Sequence, residues 1–230
     1  MEPDIRALIF DMDGVLTDTV ELHYQAWQRL ADEEGLTFNR AINEHLRGTS
    51  RRHSLDIILN GQAIDEATAH QWMARKHQYF LSLLETITPS SVLPGVLELL
   101  DEAAARGLRC GIASSSRNAQ TVIERLGLRH RFDAIGDGYS VINAKPAPDV
   151  FLWTAGRLDV HPWQAVVIED AQVGIAAALR AGFWTVGVGD EMVREAHVIV
   201  PSLQGVTIDL LLERLGALQP AAPAVQHVQG

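Results

Sequence analysis

Ala7-Leu8-Ile9-Phe10-Asp11-Met12-Asp13-Gly14-Val15-Leu16-Thr17 runs four apolar residues straight into two acids and a glycine. A continuous apolar run with no polar alternation fits a strand buried on both faces, and the acidic turn after it ends the strand. Runs of the same kind recur at Cys110-Gly111-Ile112-Ala113, ahead of Ser114-Ser115-Ser116, and at Ala165-Val166-Val167-Ile168, ahead of Glu169-Asp170. Trp184–Val188 and Val198–Val200 follow. Between them lie helical patterns. Val96–Ala105 places Leu97, Leu100 and Ala104 at helical spacing with Gly107 just beyond, and 118–126 closes on Gly127. The stretch 148–158 carries a proline at its first turn, where a missing N–H costs nothing, and 174–180 is alanine-rich and closes on Gly182. Strand alternating with helix from residue 91 onward predicts a parallel sheet with helices on both faces, a Rossmann-like α/β core.

The segment 17–90 reads differently. It holds no strand-like run; 22–34 and 65–84 read as helices, with a shorter one over 54–59. Roughly seventy residues suffice for a small domain. Their place between the first and second strands makes them an inserted α-helical cap, with Pro89 and Pro94-Gly95 marking the return. The expected division is a core of 1–16 and 91–217, a cap of 17–90, and a disordered tail of 218–230 rich in Ala, Pro and Gln.

Composition bounds the function. The 230 residues allow one or two domains, and 47% hydrophobic with 21% charged residues fit a globular chain. A net charge of −10 makes a poor ligand for nucleic acid or anionic membrane, though a small phosphorylated substrate needs only a few local cations. The single cysteine, Cys110, forms no internal disulfide and fits a reducing compartment. The opening MEPDIRALIF lacks a signal-peptide pattern, and no apolar stretch reaches the ~18 residues of a membrane span. The expectation is a soluble, cytoplasmic, monomeric protein with neither nucleic-acid nor membrane partners.

Asp11 and Asp13 sit beyond a strand's carboxyl end, where open α/β sheets bind ligands. Carboxylates clustered there need a cation or a proton to offset them. Asp11 then reads as a nucleophile toward phosphorus and Asp13 as a general acid/base, although a solvated turn also presents such a pair. Three later strand ends strengthen the chemical reading. Ser114 offers a hydroxyl to a phosphate oxygen, Lys145 balances both phosphoryl group and aspartate, and Glu169-Asp170 hold Mg²⁺ together with Asp11.

With these motifs in this order, the chain resembles the haloacid dehalogenase superfamily of aspartate-nucleophile phosphotransferases. Over about residues 5–215 it is similar to the β-phosphoglucomutase-like branch. Leu8 to Thr19, His23 with Ala26-Trp27, Leu46-Arg47-Gly48-Thr49-Ser50-Arg51, Arg75-Lys76, Ser114 to Asn118, Lys145-Pro146-Ala147-Pro148-Asp149 and Ile168 to Ile175 carry the likeness. The resemblance implies catalytic roles for Asp11, Asp13, Ser114 and Lys145, and a metal site of Asp11, Asp13, Glu169 and Asp170. It places Thr19 in a hinge, couples His23 and Lys76 to cap closure, and gives Arg51 the phosphate distant from the metal. It adds Trp27, Gly48, Ser54, Ser115, Ser116 and Asn118 to the substrate-binding set. His23 also reads as a helix-surface histidine, and Arg51 and Lys76 as solvated charges. Ser115 stands where the pattern has alanine, Arg117 replaces a lysine, Arg52-His53 replace acids, and Gly136-Asp137-Gly138-Tyr139-Ser140 reads as a more flexible loop.

The implied reaction interconverts β-D-glucose 1-phosphate and glucose 6-phosphate through a phospho-Asp11 enzyme, with glucose 1,6-bisphosphate as intermediate and activator. Two alternatives stay open: a phosphatase of a small phosphometabolite on the same scaffold, and a non-catalytic phospho-switch, which the cap and Asp13 argue against. The tryptophans Trp72, Trp153, Trp163 and Trp184 read as packing residues, and Trp27 as a residue lining the cap. Cys110 reads as a small buried apolar residue. His161 and His197 have no evident partner, and the nine histidines show no metal-ligand spacing.

Overall fold

The computed structural model describes residues 3–46, 49–189 and 193–218. The strand at the head of the chain, β1 (Ala7–Phe10), is buried along its whole length. It lies centrally in a six-stranded sheet with β2 (Arg109–Ala113), β3 (Ala134–Gly136), β4 (Ala165–Glu169), β5 (Trp184–Val188) and β6 (Val198–Val200), in the order β3-β2-β1-β4-β5-β6. All five pairings are parallel. Alternation along the strands sends Leu8 and Phe10, with Val166 and Ile168, to one face. Ala7 and Ile9, with Ala165 and Val167, go to the other.

The helices of the inserted segment are α1 (Val20–Glu34), α2 (Arg40–Glu44), α3 (Arg51–Leu59) and α4 (Glu66–Leu84). Those after it are α5 (Val96–Ala105), α6 (Ala119–Arg125), α7 (Asp149–Arg157), α8 (Gln172–Arg180) and α9 (Ile208–Ala217). Helices α5, α6 and α9 cover the Leu8–Phe10 face, where Leu99, Ile123 and Leu211 are buried. Helices α7 and α8 cover the other face through Phe151 and Ala178. Trp27, Leu30, Leu55, Ile58 and Ala69 form a separate apolar cluster within α1–α4, while Ala26, Phe80 and Leu84 join the cluster of the sheet. Asn39, Ser50 and Asp65 cap α2, α3 and α4 by accepting from backbone N–H groups of the first turn.

The chain leaves and re-enters the sheet layer side by side. Thr17 bridges Val92 antiparallel, Leu93 N–H donates to Leu16 O at 2.9 Å, and the Thr17 hydroxyl donates to Ser91 O at 2.8 Å. No helix among the described residues is long and apolar enough to cross a membrane.

Several expectations need correction. β3 and α2 have no counterpart in the sequence reading, because three and five residues are too short for a periodic signal. α9 was legible and missed: Ile208, Leu211 and Leu215 are spaced for a helix, with Thr207 as its cap. Pro148 caps α7 from outside rather than opening it. The loop after β3 is built tightly: Asp137 accepts from Tyr139 N–H at 2.9 Å and from Ser140 N–H at 3.0 Å. Its glycines serve close packing. A Cβ on Gly136 would lie 2.5 Å from Thr154 Oγ1, and one on Gly138 2.7 Å from Ser115 O. Trp163 is exposed; it stacks on His161 at 4.3 Å and accepts at its carbonyl from Trp184. His197 also has partners, since its Nδ1 bonds the Thr185 backbone N–H at 3.1 Å and lies 2.9 Å from the Thr185 hydroxyl. Cys110 is buried as expected. The disorder expected of the tail concerns residues 219–230, which lie outside the described residues, as does Gly48.

Candidate active site

The sheet order reverses at β1. From it the chain steps outward to β2 and β3, then crosses back to β4 on the other side. A crevice opens at such a switch point. The register Phe10↔Ile168 sets Asp11 level with Glu169, and Phe10↔Ile112 brings Ser114 just beyond them. The consecutive strand ends therefore deliver the sequence motifs to one place.

Lys145 closes the group. Its Nζ donates to Asp11 Oδ1 at 2.6 Å, to Glu169 Oε2 at 2.8 Å and to Ala113 O at 3.0 Å, and it is buried. An ammonium has three donors, and all three are used. Burial opposes its charge, but Asp11 and Glu169 outweigh burial and hold it above the ordinary lysine range. Burial and then the charge of Glu169 push Asp11 upward, against the pull of Lys145. Burial, then Asp11, push Asp13 upward too, which favours the protonated form that an acid needs.

Asp11, Glu169 and Asp170 each bring a carboxylate oxygen within 4.8 Å of the others. Two glycines make room: a Cβ on Gly14 would stand 2.0 Å from Asp170 Oδ2, and one on Gly174 2.1 Å from Glu169 Oε2. Three clustered carboxylates against one ammonium leave excess negative charge, and an all-oxygen set suits Mg²⁺. The residues fit that ion. The Asp13 carboxyl, expected among the metal ligands, lies outside this group. Its Oδ1 is buried without a partner among the described residues, on the turn closed by the Asp13–Thr17 bridge. Adding Mg²⁺ at about 100 times its dissociation constant is expected to stabilise the protein by about 2.7 kcal/mol. That is roughly 5–10 °C in Tm at this size. The Asp170→Asn variant should lose most of the shift in a thermal melt; a wild-type melt indifferent to millimolar Mg²⁺ would count against the metal site.

Above the acids is a cavity of about 910 Å³, at the upper end for small-molecule sites. It is lined by Ser114, Ser115, Ser116 and Asn118 from the sheet side, and by His23, Trp27, Arg51, Ser54 and Lys76 from α1, α3 and α4. Ser114 Oγ accepts from Ser116 N–H at 3.0 Å, and Ser54 lies 2.9 Å from the Thr49 hydroxyl. Ser115 Oγ is buried without a partner among the described residues. Thr19 is not among the residues that line the cavity; it is wholly buried just before α1, with its hydroxyl unpartnered among the described residues.

Lys76 is buried and His23 half-buried beside it, so neither is a freely solvated charge. Lys76 Nζ lies 2.7 Å from His23 Nδ1, and the His23 ring stacks on Phe80 at 4.0 Å. In its ammonium form Lys76 can only donate, and Nδ1 then accepts with the ring hydrogen on Nε2. Burial, then the charge of Arg51, depress Lys76 well below its ordinary value, while Asp13 draws it back. Sequence reasoning missed His77, whose Nδ1 lies 3.3 Å from Arg51 Nη2, and Tyr139, which lines the mouth. His77 directly follows Lys76 and Tyr139 lies in the glycine-rich loop, but neither residue type at that place carried a signal of its own.

A buried lysine between two strand-end acids, a third acid for a metal, and a lidded crevice define an aspartate-based phosphotransfer site. The chain belongs to the haloacid dehalogenase-like hydrolase family, whose model matches residues 5–182. Its relatives include the β-phosphoglucomutase of Bacillus subtilis, 39% identical over 214 residues that cover 91% of this chain and 95% of the relative. The fructose-1-phosphate phosphatase YqaB of Escherichia coli is 38% identical over 79% of this chain and 95% of its own. The crystal structure of a β-phosphoglucomutase from Clostridium difficile superposes with a TM-score of 0.87 at 37% identity, covering 93% of this chain and 98% of that one.

Proposed function

We propose that this enzyme interconverts β-D-glucose 1-phosphate and glucose 6-phosphate by way of a phosphorylated Asp11 and β-glucose 1,6-bisphosphate. The observation that carries the reading is one cavity lined by two groups able to meet a phosphate, Asp11, Lys145 and Ser114 as one and Arg51 and Arg117 as the other. In this reading the two groups take opposite ends of the substrate. A monophosphate phosphatase needs only the first group. A mutase must seat a waiting phosphate while the other reacts, and guanidinium forks suit that task.

In this reading residues 17–90 act as the cap and the rest as the phosphotransferase core. The free hydroxyl of a bound glucose monophosphate yields its proton to Asp13 and takes the phosphoryl group from phospho-Asp11, giving the bisphosphate. Asp11 then attacks the other phosphorus of the bisphosphate, and the bond to the leaving oxygen breaks as Asp13 gives that oxygen a proton. Lys145 holds Asp11 in line, and the Ser114 hydroxyl meets the phosphoryl oxygens. A Mg²⁺ held by Asp11, Glu169 and Asp170 supplies charge neutralisation when bound. The half-buried His23 and the buried Lys76, which line the same cavity as Asp13, tie the cap to the acid/base and help exclude water. The protein works in this reading as a cytoplasmic monomer.

The test follows glucose 6-phosphate and inorganic phosphate together, starting from β-glucose 1-phosphate, Mg²⁺ and a trace of glucose 1,6-bisphosphate, with the α anomer as control. Rapid glucose 6-phosphate from the β anomer alone, with little phosphate, is expected. Phosphate release without glucose 6-phosphate would make the protein a phosphatase. Arg51→Ala is expected to lower mutase kcat/KM by about 10²–10³-fold, the usual cost of deleting one partner of a buried charge pair. Hydrolysis of p-nitrophenyl phosphate should fall far less; equal losses would remove Arg51 from the distal phosphate.

A further inference from the structure

We propose that His77 and Tyr139 are positioning residues, uncharged rings that aim the Arg51 and Arg117 guanidiniums into the cavity mouth while leaving their charge to an anionic ligand. The proposal rests on the reading of this end as the second phosphate position and adds what holds it in place.

Arg51 is the first residue of α3 and lines the cavity. Its Nη2 donates to His77 Nδ1 at 3.3 Å, so His77 carries its hydrogen on Nε2. His77 lies on α4, one position past Lys76, and acts only through Arg51. Across the mouth the Arg117 guanidinium carbon sits 5.1 Å from the centroid of the Tyr139 ring, within cation–π range. Among the described residues neither arginine pairs with a carboxylate, whereas neighbouring Arg52 pairs with Asp56 and Glu66. Burial, and then the charge of Arg117, bring Arg51 below its ordinary value, so the two cations face a common space.

The choice of partner matters. A carboxylate would fix the direction of a guanidinium but cancel its charge and compete with phosphate for the fork. A neutral nitrogen or a ring face orients the group and cancels nothing. The cost is repulsion between two like charges, which a bound phosphate relieves. Tyr139 is 73% exposed yet held on a stiff backbone. Asp137 accepts from its N–H at 2.9 Å, and Gly138 N–H donates to Ser116 O at 3.1 Å, tying this loop to the one that carries Arg117. A Cβ on Gly138 would stand 2.9 Å from Arg117 Cγ, so the approach of the two loops depends on that glycine.

The test measures steady-state phosphate release from glucose 1,6-bisphosphate and from p-nitrophenyl phosphate by His77→Leu, His77→Asn, Tyr139→Leu and Tyr139→Phe. His77→Leu should raise KM for the bisphosphate about tenfold more than KM for p-nitrophenyl phosphate, the scale of one hydrogen bond to a charged group, and Tyr139→Leu about threefold more, the scale of an exposed cation–π contact. Changes in kcat should be small. His77→Asn supplies a carbonyl acceptor and Tyr139→Phe keeps the ring face, so both should recover most of the loss. Parallel shifts with both probes, or no recovery by asparagine and phenylalanine, would overturn the proposal. So would a wild-type enzyme that does not favour the bisphosphate. A wild type that favours it yet forms no glucose 6-phosphate would overturn the mutase reading alone, and the four variants would still decide this one.

Discussion

Asp11→Asn is expected to abolish turnover while leaving the protein folded. An amide cannot form the acyl phosphate, and loss of a nucleophile costs on the order of 10⁶-fold. Stability should hardly change. The amide oxygen can still accept from Lys145, which keeps Glu169 as its second carboxylate. Removing one negative charge also relieves Asp11's repulsion with Glu169, which contributes to the upward push on Asp11. Turnover, trapping of a phosphorylated protein and a thermal melt separate the two effects. Near-normal turnover in this variant would end the covalent mechanism.

Lys145→Ala should harm both activity and folding. The lysine is buried between two buried carboxylates, and its removal leaves them facing each other. Breaking a buried pair by deleting one partner costs about 3–5 kcal/mol. Activity should fall by 10³-fold or more, since catalysis here rests on positioned charge. Burial already raises Asp11 and Glu169, so without Lys145 they would take up protons. The folded variant then binds more protons than its unfolded chain, and its stability falls as pH rises through the raised values. Its deficit against wild type should be larger at pH 8 than at pH 6 in denaturant titrations without Mg²⁺. A deficit below about 1 kcal/mol would mean that the lysine is dispensable to the fold.

The chemical end of the site was legible because three of its residues directly follow or end an apolar run. Asp11, Ser114 and Glu169 end or follow β1, β2 and β4, and parallel register brings such ends together. Lys145 was expected at a strand end but lies in the loop between β3 and α7; the structure supplies its reason, three acceptors around one ammonium. The distal end was less legible. Arg51 is an ordinary helix-start residue in sequence, and its partner His77 lies 26 positions away on α4, where only the packing of α3 on α4 brings them together. The glycines at 136 and 138 misled for a physical reason. Glycine permits motion and close approach alike, and which one operates depends on neighbours such as Thr154 and Arg117.

The paired crossing at Thr17 and Val92 bears on how such a chain can be rebuilt. The entry and exit of the helical segment lie one hydrogen bond apart, Leu93 N to Leu16 O at 2.9 Å. A segment whose ends meet can be lengthened, shortened or exchanged at little loop-closure cost to the layer beneath. Transplanting a different helical segment between Thr17 and Val92 would keep the nucleophile and its lysine where they are. Such a chimera would redirect what the enzyme accepts without redesigning how it reacts.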